Sequence, residues 1–463
     1  MGQLETAANN ETLFAQLGEL IRQEMERLHV PGVAVGVYTA GQESLAGFGV
    51  TSVDHPLLVD ADTLFQIGST TKTITATAVM RLVEAGKLDL EAPLRTYLPH
   101  LRLSSEETAA HVTLRHLFTH TGGWEGDYFA DTGRGADALA LVVDTLAELP
   151  QITPLGALWS YNNAGYYLAG RVLEVVTGQE YEAAVKSLVL EPLGMTRSVF
   201  FAEEAITERV AIGHQSLGKE QPTIARPWAL SRAAHAAGGL SSSARDQLRY
   251  LRFHLGEGTA ADGTRLLSHA SLQRMRSPLV SAGNGIEAMG VSWMLRHLGE
   301  TLLVSHGGAT HGQLSAFLFV PERQWGMTVL TNADRGGELH QIVTKWALKH
   351  YLQLEEPEEL LLDLPEEQLA AFAGRYSSSV EVLEVSVQDG RLLLRAIDKG
   401  GFPHKDSPPH SPPIEVALGA TGPGRVRVLD EPLKGAKGEF LREGGGKIGW
   451  FRLGVRAYPR QED

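Results

Sequence analysis

The chain has 463 residues, a formal net charge of -14, 43% hydrophobic and 21% charged residues, and no cysteine. Its length points to two domains, and the negative balance argues against nucleic acid or an anionic membrane as the main partner. The absence of cysteine excludes a disulfide scaffold, a thiol nucleophile and thiolate metal sites.

The opening Met1-Gly2-Gln3-Leu4-Glu5-Thr6 lacks the basic start and apolar core of a secretory signal, and no apolar run approaches bilayer length. The expectation is a cytoplasmic protein. Met1-Gly2 with Thr6 matches a myristoylation pattern and Asn10-Glu11-Thr12 a glycosylation sequon. Both patterns are short, and both are read as chance matches.

Leu13, Leu17, Leu20, Ile21, Met25 and Leu28 recur at helical spacing and predict an amphipathic helix that ends near Pro31-Gly32. Residues 33–38 and 43–50 read as a hairpin around Gly41. A long, mainly helical middle is expected from residue 70 to about 279, with loops over 121–134 and 218–228. Apolar strands return at 302–305, running into His306-Gly307-Gly308, then at 315–320 and 327–331, before a helix over about 340–351. This order predicts an α+β fold, an antiparallel sheet built from both ends of the domain with a helical subdomain inserted.

Glu355-Glu356-Pro357-Glu358-Glu359 reads as the start of a linker. The predicted division is a first domain over 1–354, a linker over 355–364 and a C-terminal domain over 365–463. In the last part, strand-like runs at 380–387 and 392–395 flank Asp389-Gly390, a strong two-residue hairpin signal. More strand-like sequence ends at 448–458, beyond a Pro-rich stretch at 402–413. A small all-β, barrel-like domain is expected there.

The chemistry centres on Ser69-Thr70-Thr71-Lys72 at the start of a helix-like run. Ser and Lys three apart share a helix face, so the Lys72 amine can reach the Ser69 hydroxyl and take its proton if burial lowers its pKa. The helix dipole favours an anion developing at Ser69. The spacing alone is weak: Ser216-Leu217-Gly218-Lys219 repeats it, but with an internal Gly and Pro222 just after, so it reads as a loop coincidence.

Further motifs follow in order. These are Leu117-Phe118-Thr119-His120-Thr121-Gly122-Gly123, Tyr161-Asn162-Asn163, Gly238-Gly239-Leu240-Ser241-Ser242 and His306-Gly307-Gly308-Ala309-Thr310. With the Ser69 run, they make the chain resemble the serine β-lactamase-like hydrolases. That group includes class C β-lactamases, penicillin-binding D-alanyl-D-alanine carboxypeptidases, D-aminopeptidases and family VIII esterases. The resemblance spans about residues 12–352, and some hydrolases of this group carry a lipocalin-like barrel at the C-terminus.

The resemblance implies a β-lactamase/transpeptidase-like fold and an acyl-enzyme on Ser69, with Lys72 as proton acceptor and Tyr161 as a second acid/base. Asn163 would hold the Lys72 amine, and the backbone N–H groups of Ser69 and Ala309 would form the oxyanion hole. Whether Lys72 or Tyr161 is the base in acylation stays open. Where β-lactamases usually carry Lys-Thr-Gly, this chain has His306-Gly307-Gly308. His306 is expected to be a weaker, pH-dependent cation in substrate binding, and Gly307 removes a hydroxyl donor. This argues against recognition of a terminal carboxylate and points to small esters, amides or peptides, including D-amino-acid derivatives.

Two other readings are kept: a penicillin-binding protein or weak class C-like β-lactamase, and a catalytically silent ligand-binding protein of the same fold. Trp124, Tyr128 and Phe129 either line the substrate entrance or pack within their loop. Glu125, Asp127 and Asp131 read as a solvated loop, with capture of a substrate amine as the alternative. His116 and His120, four apart, have no carboxylate at a fitting spacing and read as structural rather than metal-binding. No metal or cofactor is called for, the partner is a small-molecule substrate, and a homo-oligomer is left open. The C-terminal barrel would bind an apolar ligand, gate the site, mediate oligomerisation or be inert.

Overall fold

The computed structural model describes all residues except 1, 40, 217–220, 229, 257, 261, 410, 411, 445 and 463. The first helix, α1 (Gly2–Leu28), leads into the hairpin β1 (Gly32–Thr39) and β2 (Gln42–Gly49). Six more strands come late: β3 (Val280–Gly283), β4 (Ile286–Met289), β5 (Met294–Leu298), β6 (Thr301–Thr310), β7 (Gln313–Val320) and β8 (Trp325–Thr331). They form one antiparallel 8-stranded sheet in the order β2-β1-β8-β7-β6-β5-β4-β3. The two ends of the domain therefore meet where β1 pairs with β8, Val33 opposite Thr331 and Thr39 opposite Trp325.

Alternation along β1 explains its central place. Val33, Val35 and Val37 face one side, where Leu17, Ile21 and Leu28 of α1 and Leu339, Val343 and Ala347 of α3 (Gly336–Leu352) pack. On the other side Gly36 faces Leu248 of the helix Ala244–Leu255; a Cβ there would lie 2.8 Å from Leu248 Cγ.

The inserted helices pack on that second face around the helix Thr71–Glu84, called α2, whose residues from Thr71 to Met80 are all buried. A helix apolar on one side only would not tolerate this. Its threonines are satisfied internally: Thr73 donates to the Thr70 carbonyl (2.8 Å) and Thr77 to that of Thr73 (2.9 Å). Thr75 donates to the Ala236 carbonyl at 2.9 Å.

The strands β3 to β5 were not legible in sequence. They are short, and Ser281, Gly283, Asn284 and Gly285 interrupt their apolar pattern. One boundary also moves. The strand expected to stop at residue 305 continues to Thr310, so the His306-Gly307-Gly308-Ala309-Thr310 run lies within β6. Pairing with β5 ends at Ser305 opposite Met294, whereas β7 stays paired up to Thr310 opposite Gln313. One edge of β6 is thereby released from the sheet over 306–310. In the decoy Ser216 run, residues 217–219 lie outside the described residues; Ser216 itself donates to Asp334 Oδ1 at 2.7 Å.

At the C-terminus a second 8-stranded sheet runs as a meander from β9 (Gly374–Ser377) through β10 (Glu381–Gln388), β11 (Arg391–Asp398), β12 (Ile414–Gly422), β13 (Arg425–Val428) and β14 (Lys437–Arg442) to β15 (Ile448–Leu453) and β16 (Arg456–Pro459). A bridge between Tyr376 and Arg460 nearly closes it into a barrel. The Asp389-Gly390 turn has both residues in the left-handed region, at φ 51° and 72°, as a tight hairpin needs. Inside, the Phe372 and Phe451 rings each stack on Phe440 at 4.4 Å. The Glu-rich stretch between the two sheets is tied to both: Glu356 pairs with Arg296 at 2.5 Å, and Glu359 with Lys437. Among the described residues, no helix is long and apolar enough to cross a membrane.

Candidate active site

Ser69 sits in a 3-10 turn, Gly68–Thr70, that opens directly into α2. Two close approaches hold this turn against β6. Gly68 has φ 50°, and a Cβ on it would lie 2.6 Å from the Ala309 nitrogen. A Cβ on Gly308 would lie 1.9 Å from the Ile67 oxygen and 2.7 Å from the Ser69 nitrogen. Only glycine permits either contact. Ser315 of β7 ties the turn from below, donating to the Ile67 carbonyl (2.7 Å) and sharing a hydrogen bond with Thr70 Oγ1 (2.8 Å). The Ser69 and Ala309 nitrogens are thus brought side by side at the released edge of β6.

Lys72 is 0% exposed. Its Nζ lies 2.9 Å from Ser69 Oγ, 2.7 Å from Asn163 Oδ1 and 2.6 Å from the Ala237 carbonyl. The last two atoms only accept, so a neutral amine donates to both and turns its lone pair to the Ser69 hydroxyl. Burial, with help from the Arg456 charge, holds the Lys72 pKa well below that of an ordinary lysine. Asn163 heads the helix Ala164–Thr177, but its side chain makes no capping bond. Its Nδ2 donates instead to Asp127 Oδ1 at 2.8 Å, which leaves Oδ1 facing Lys72.

Tyr161 lies over the same amine, its ring centroid 5.0 Å from Lys72 Nζ. His120 stacks on it at 4.2 Å, and the Arg456 guanidinium covers it at 5.4 Å. Burial raises the phenol pKa; the Ser69 hydroxyl counters this in part, although no well-formed hydrogen bond joins the two. Tyr161 therefore keeps its proton while Lys72 is disposed to lose one.

His306 departs from expectation. It is buried, and its Nδ1 donates to the Gly307 carbonyl at 2.6 Å. Burial pushes its pKa down to about 3. It is a neutral group near pH 7, not the pH-dependent cation expected from sequence, and it presents an unpaired, buried Nε2.

These residues open on a cavity of about 810 Å³ lined by Ser69, Tyr161, Asn163 and residues 306–310. Trp124 and Tyr128, expected at the entrance, do not line it. Trp124 is 4% exposed and turned inward, its ring over Gly122 and its carbonyl accepting from Asn162 Nδ2 at 2.9 Å. The Tyr128 carbonyl accepts from the Tyr167 hydroxyl at 2.6 Å, and its ring packs against the buried core. Of the three aromatics of this loop, Phe129 reaches the cavity, edge-on to Phe402 of the C-terminal barrel at 5.0 Å.

The acidic loop is not simply solvated. Glu125 accepts from the Ser379 nitrogen, and Asp127 pairs with Arg456, both partners lying on the barrel. Asp131 accepts from the Gly133 nitrogen at 2.9 Å. His116 Nδ1 accepts from the Thr113 nitrogen at the start of a short helix, and His120 Nδ1 from the Asn162 nitrogen at 3.0 Å.

Sequence reasoning missed the far wall of the cavity, where the barrel contributes Val380, Glu381, Asp398, Phe402, Arg456 and Tyr458. None of these belongs to a motif, and Arg456 lies near the opposite end of the chain from Ser69. The Ala237 carbonyl was equally invisible, although it adjoins the Gly238-Gly239 run that was singled out.

The Beta-lactamase family profile matches residues 17–351. The chain belongs to the Beta-lactamase family. Within the family it is 37% identical over 309 residues to penicillin-binding protein 4 of Amycolatopsis lactamdurans, covering 66% of this chain and 81% of that one. A solved structure of SurE with D-Leu superposes with TM-score 0.77 at 25% identity, covering 98% of this chain and 100% of that chain. The octameric penicillin-binding protein homologue from Pyrococcus abyssi superposes with TM-score 0.65 at 25% identity, over 96% and 99%. These two structures match across the barrel as well as the sheet domain, whereas the family profile stops before the barrel. Family membership makes the protein a serine hydrolase in the broad sense, of a group acting on amide or ester bonds.

Proposed function

We propose that the protein forms an acyl-enzyme on Ser69 and hydrolyses small esters or amide and peptide bonds, D-amino-acid derivatives among them. The observation that carries this reading is the fully buried Lys72 amine, hydrogen-bonded to two acceptors and 2.9 Å from the Ser69 hydroxyl.

In this reading neutral Lys72 takes the Ser69 proton as Oγ bonds to the substrate carbonyl carbon. The resulting oxyanion is held by the Ser69 and Ala309 N–H groups, each donor contributing about 3 kcal/mol in sites of this kind. As the scissile bond breaks, Tyr161 gives its proton to the leaving alcohol or amine, and the Lys72 ammonium restores it. Water then attacks the ester on Ser69 by the same route in reverse. The opposed pKa shifts of Lys72, downward, and Tyr161, upward, both caused chiefly by burial, support Lys72 as the base in acylation and Tyr161 as the acid.

Neutral His306 supplies no charge where the β-lactamase pattern has a lysine, and Arg456, the cation on the cavity wall, is already matched by Asp127. This supports substrates without a strict need for a terminal carboxylate. The D-Leu bound to SurE supports D-amino-acid derivatives as the class to try first. The P. abyssi octamer supports a homo-oligomer. A second reading, a penicillin-binding protein, is favoured by the resemblance to the A. lactamdurans protein.

Intact-protein mass spectrometry after exposure to a fluorophosphonate, and separately to a penicillin, tests both. The expected result is fluorophosphonate labelling of the native protein and none of Ser69→Ala. A lasting penicillin adduct would move the reading to a penicillin-binding protein. No labelling by either reagent overturns the proposal in favour of a silent binding protein.

A further inference from the structure

The cavity wall opposite Ser69 comes from the barrel, and one barrel side chain reaches past the wall into the hydrogen-bond network of the catalytic lysine. Arg456 stands at the start of β16, just after the Gly454-Val455 turn. Its Nη2 donates to Asp127 Oδ1 at 3.0 Å and its Nε to Oδ2, a bidentate fork. The same Oδ1 accepts from Asn163 Nδ2, and Asn163 Oδ1 accepts from Lys72. An unbroken chain therefore runs from the barrel to the amine beside Ser69.

The hairpin that carries Arg456 is seated on the segment that carries Tyr161. The Tyr161 nitrogen donates to the Val455 carbonyl at 2.8 Å, the Ala457 nitrogen to Ser160 Oγ at 3.0 Å, and Arg452 Nη2 to the Trp159 carbonyl at 2.9 Å. We infer that Arg456 is a positioning residue: by clamping Asp127 it fixes the orientation of Asn163 and of the Lys72 amine, so the barrel is a working part of the catalytic centre. The inference rests on the acyl-enzyme reading above.

The physical reason lies in the amide of Asn163. Its two ends differ only in donor or acceptor character, and a flip would set its NH2 group against the Lys72 amine. Asp127, which only accepts, forbids the flip. Its side chain is 9% exposed, and a carboxylate so buried is costly without a matching charge, which Arg456 provides. Lys72 is also faced by Tyr161, Tyr166, His120 and His306. Burial holds both histidines neutral and both tyrosines protonated, so Asp127 and Arg456 supply the charges in this shell. Their effects on Lys72 are opposite: Arg456 favours the neutral amine and Asp127 the ammonium.

The test is the pH profile of kcat/KM on p-nitrophenyl acetate, which bears no carboxylate, for the native protein, Arg456→Ala, Arg456→Lys and Asp127→Asn. Fluorophosphonate labelling is followed in parallel. The expected result for Arg456→Ala is a kcat lower by roughly tenfold to a hundredfold with KM nearly unchanged, and an acidic limb moved to higher pH. Asp127→Asn should move that limb to lower pH, and Arg456→Lys should recover part of the lost rate. Should Arg456→Ala misfold, Arg456→Gln carries the same pH comparison. An acidic limb unmoved in both charge variants overturns the inference. So does a loss confined to substrates with a free carboxylate, which would make Arg456 a substrate anchor only. A native protein that neither labels nor hydrolyses the ester fails the acyl-enzyme reading itself, a result distinct from an unmoved limb in an active enzyme.

Discussion

The two walls of the cavity are built on different principles. The floor is dry and rigid: Lys72 is fully buried, Ser69 is pinned between two obligatory glycine contacts, and Thr70 and Ser315 lock the turn beneath. The barrel wall is polar and partly open: Arg456 keeps 36% of its side chain exposed, and Glu381 accepts from the Tyr458 hydroxyl at 2.5 Å. The floor, by excluding water, lowers the Lys72 pKa well below that of an ordinary lysine. The wall adjusts charge around Lys72 and bounds the space that a substrate fills.

If the floor holds the chemistry, changes there should be the most damaging. Ser69→Ala should remove fluorophosphonate labelling and lower ester hydrolysis by roughly a thousandfold or more, with Lys72→Ala close behind. Substrate turnover near native level in either would move the chemistry elsewhere. Tyr161→Phe keeps the stacking on His120 but removes the proton donor, and should cost about a hundredfold in kcat, more for amides than for activated esters whose leaving groups need no proton. Equal losses on both substrates would argue against an acid role.

Gly308→Ala tests the close approach that seats the Ser69 turn against β6. Its Cβ would meet the Ile67 carbonyl and the Ser69 nitrogen, so activity should fall and stability drop by about 1–3 kcal/mol, measured by urea denaturation. On the wall, Phe129→Ala should be milder. Losing an edge-on ring contact of about 1 kcal/mol should raise KM a few-fold for bulky acyl groups and leave kcat for acetate esters near its native value.

A separate effect, on stability, concerns pH. His306 and His340 are held down to about 3, and His116 to about 4, each chiefly by burial. The unfolded chain takes up these protons near pH 6.5 while the native state does not. Stability should therefore be fully present above about pH 6.5 and decline as pH falls toward 3, as thermal melting followed across that range would reveal. A melting temperature flat down to pH 4 would contradict the buried, neutral assignment.

Much of the architecture was legible because it rests on local rules. The β1–β2 hairpin, α1 and α3 followed from periodicity, and the barrel was announced by Asp389-Gly390 between alternating runs. Strands β3 to β5 escaped because their pattern is broken by small and polar residues. The place of Trp124 stayed open because aromatic character does not distinguish a ring turned into the core from one turned to a ligand. The charge of His306 is not legible in the sequence, because it depends on how much water reaches the ring, which neighbours in sequence do not disclose.

By itself, then, the sequence determined the elements outside β3 to β5 and the Ser69–Lys72 pair, because short-range spacing and residue chemistry carry that information, and its resemblance to the serine β-lactamase-like hydrolases added Tyr161 and Asn163 to the candidate set. Tertiary structure alone decided that Lys72 is dry, that His306 is neutral, and that Arg456 reaches the same network across almost the whole chain. Desolvation and Coulomb interaction depend on distance in space, and the folded packing of sheet, helices and barrel sets those distances.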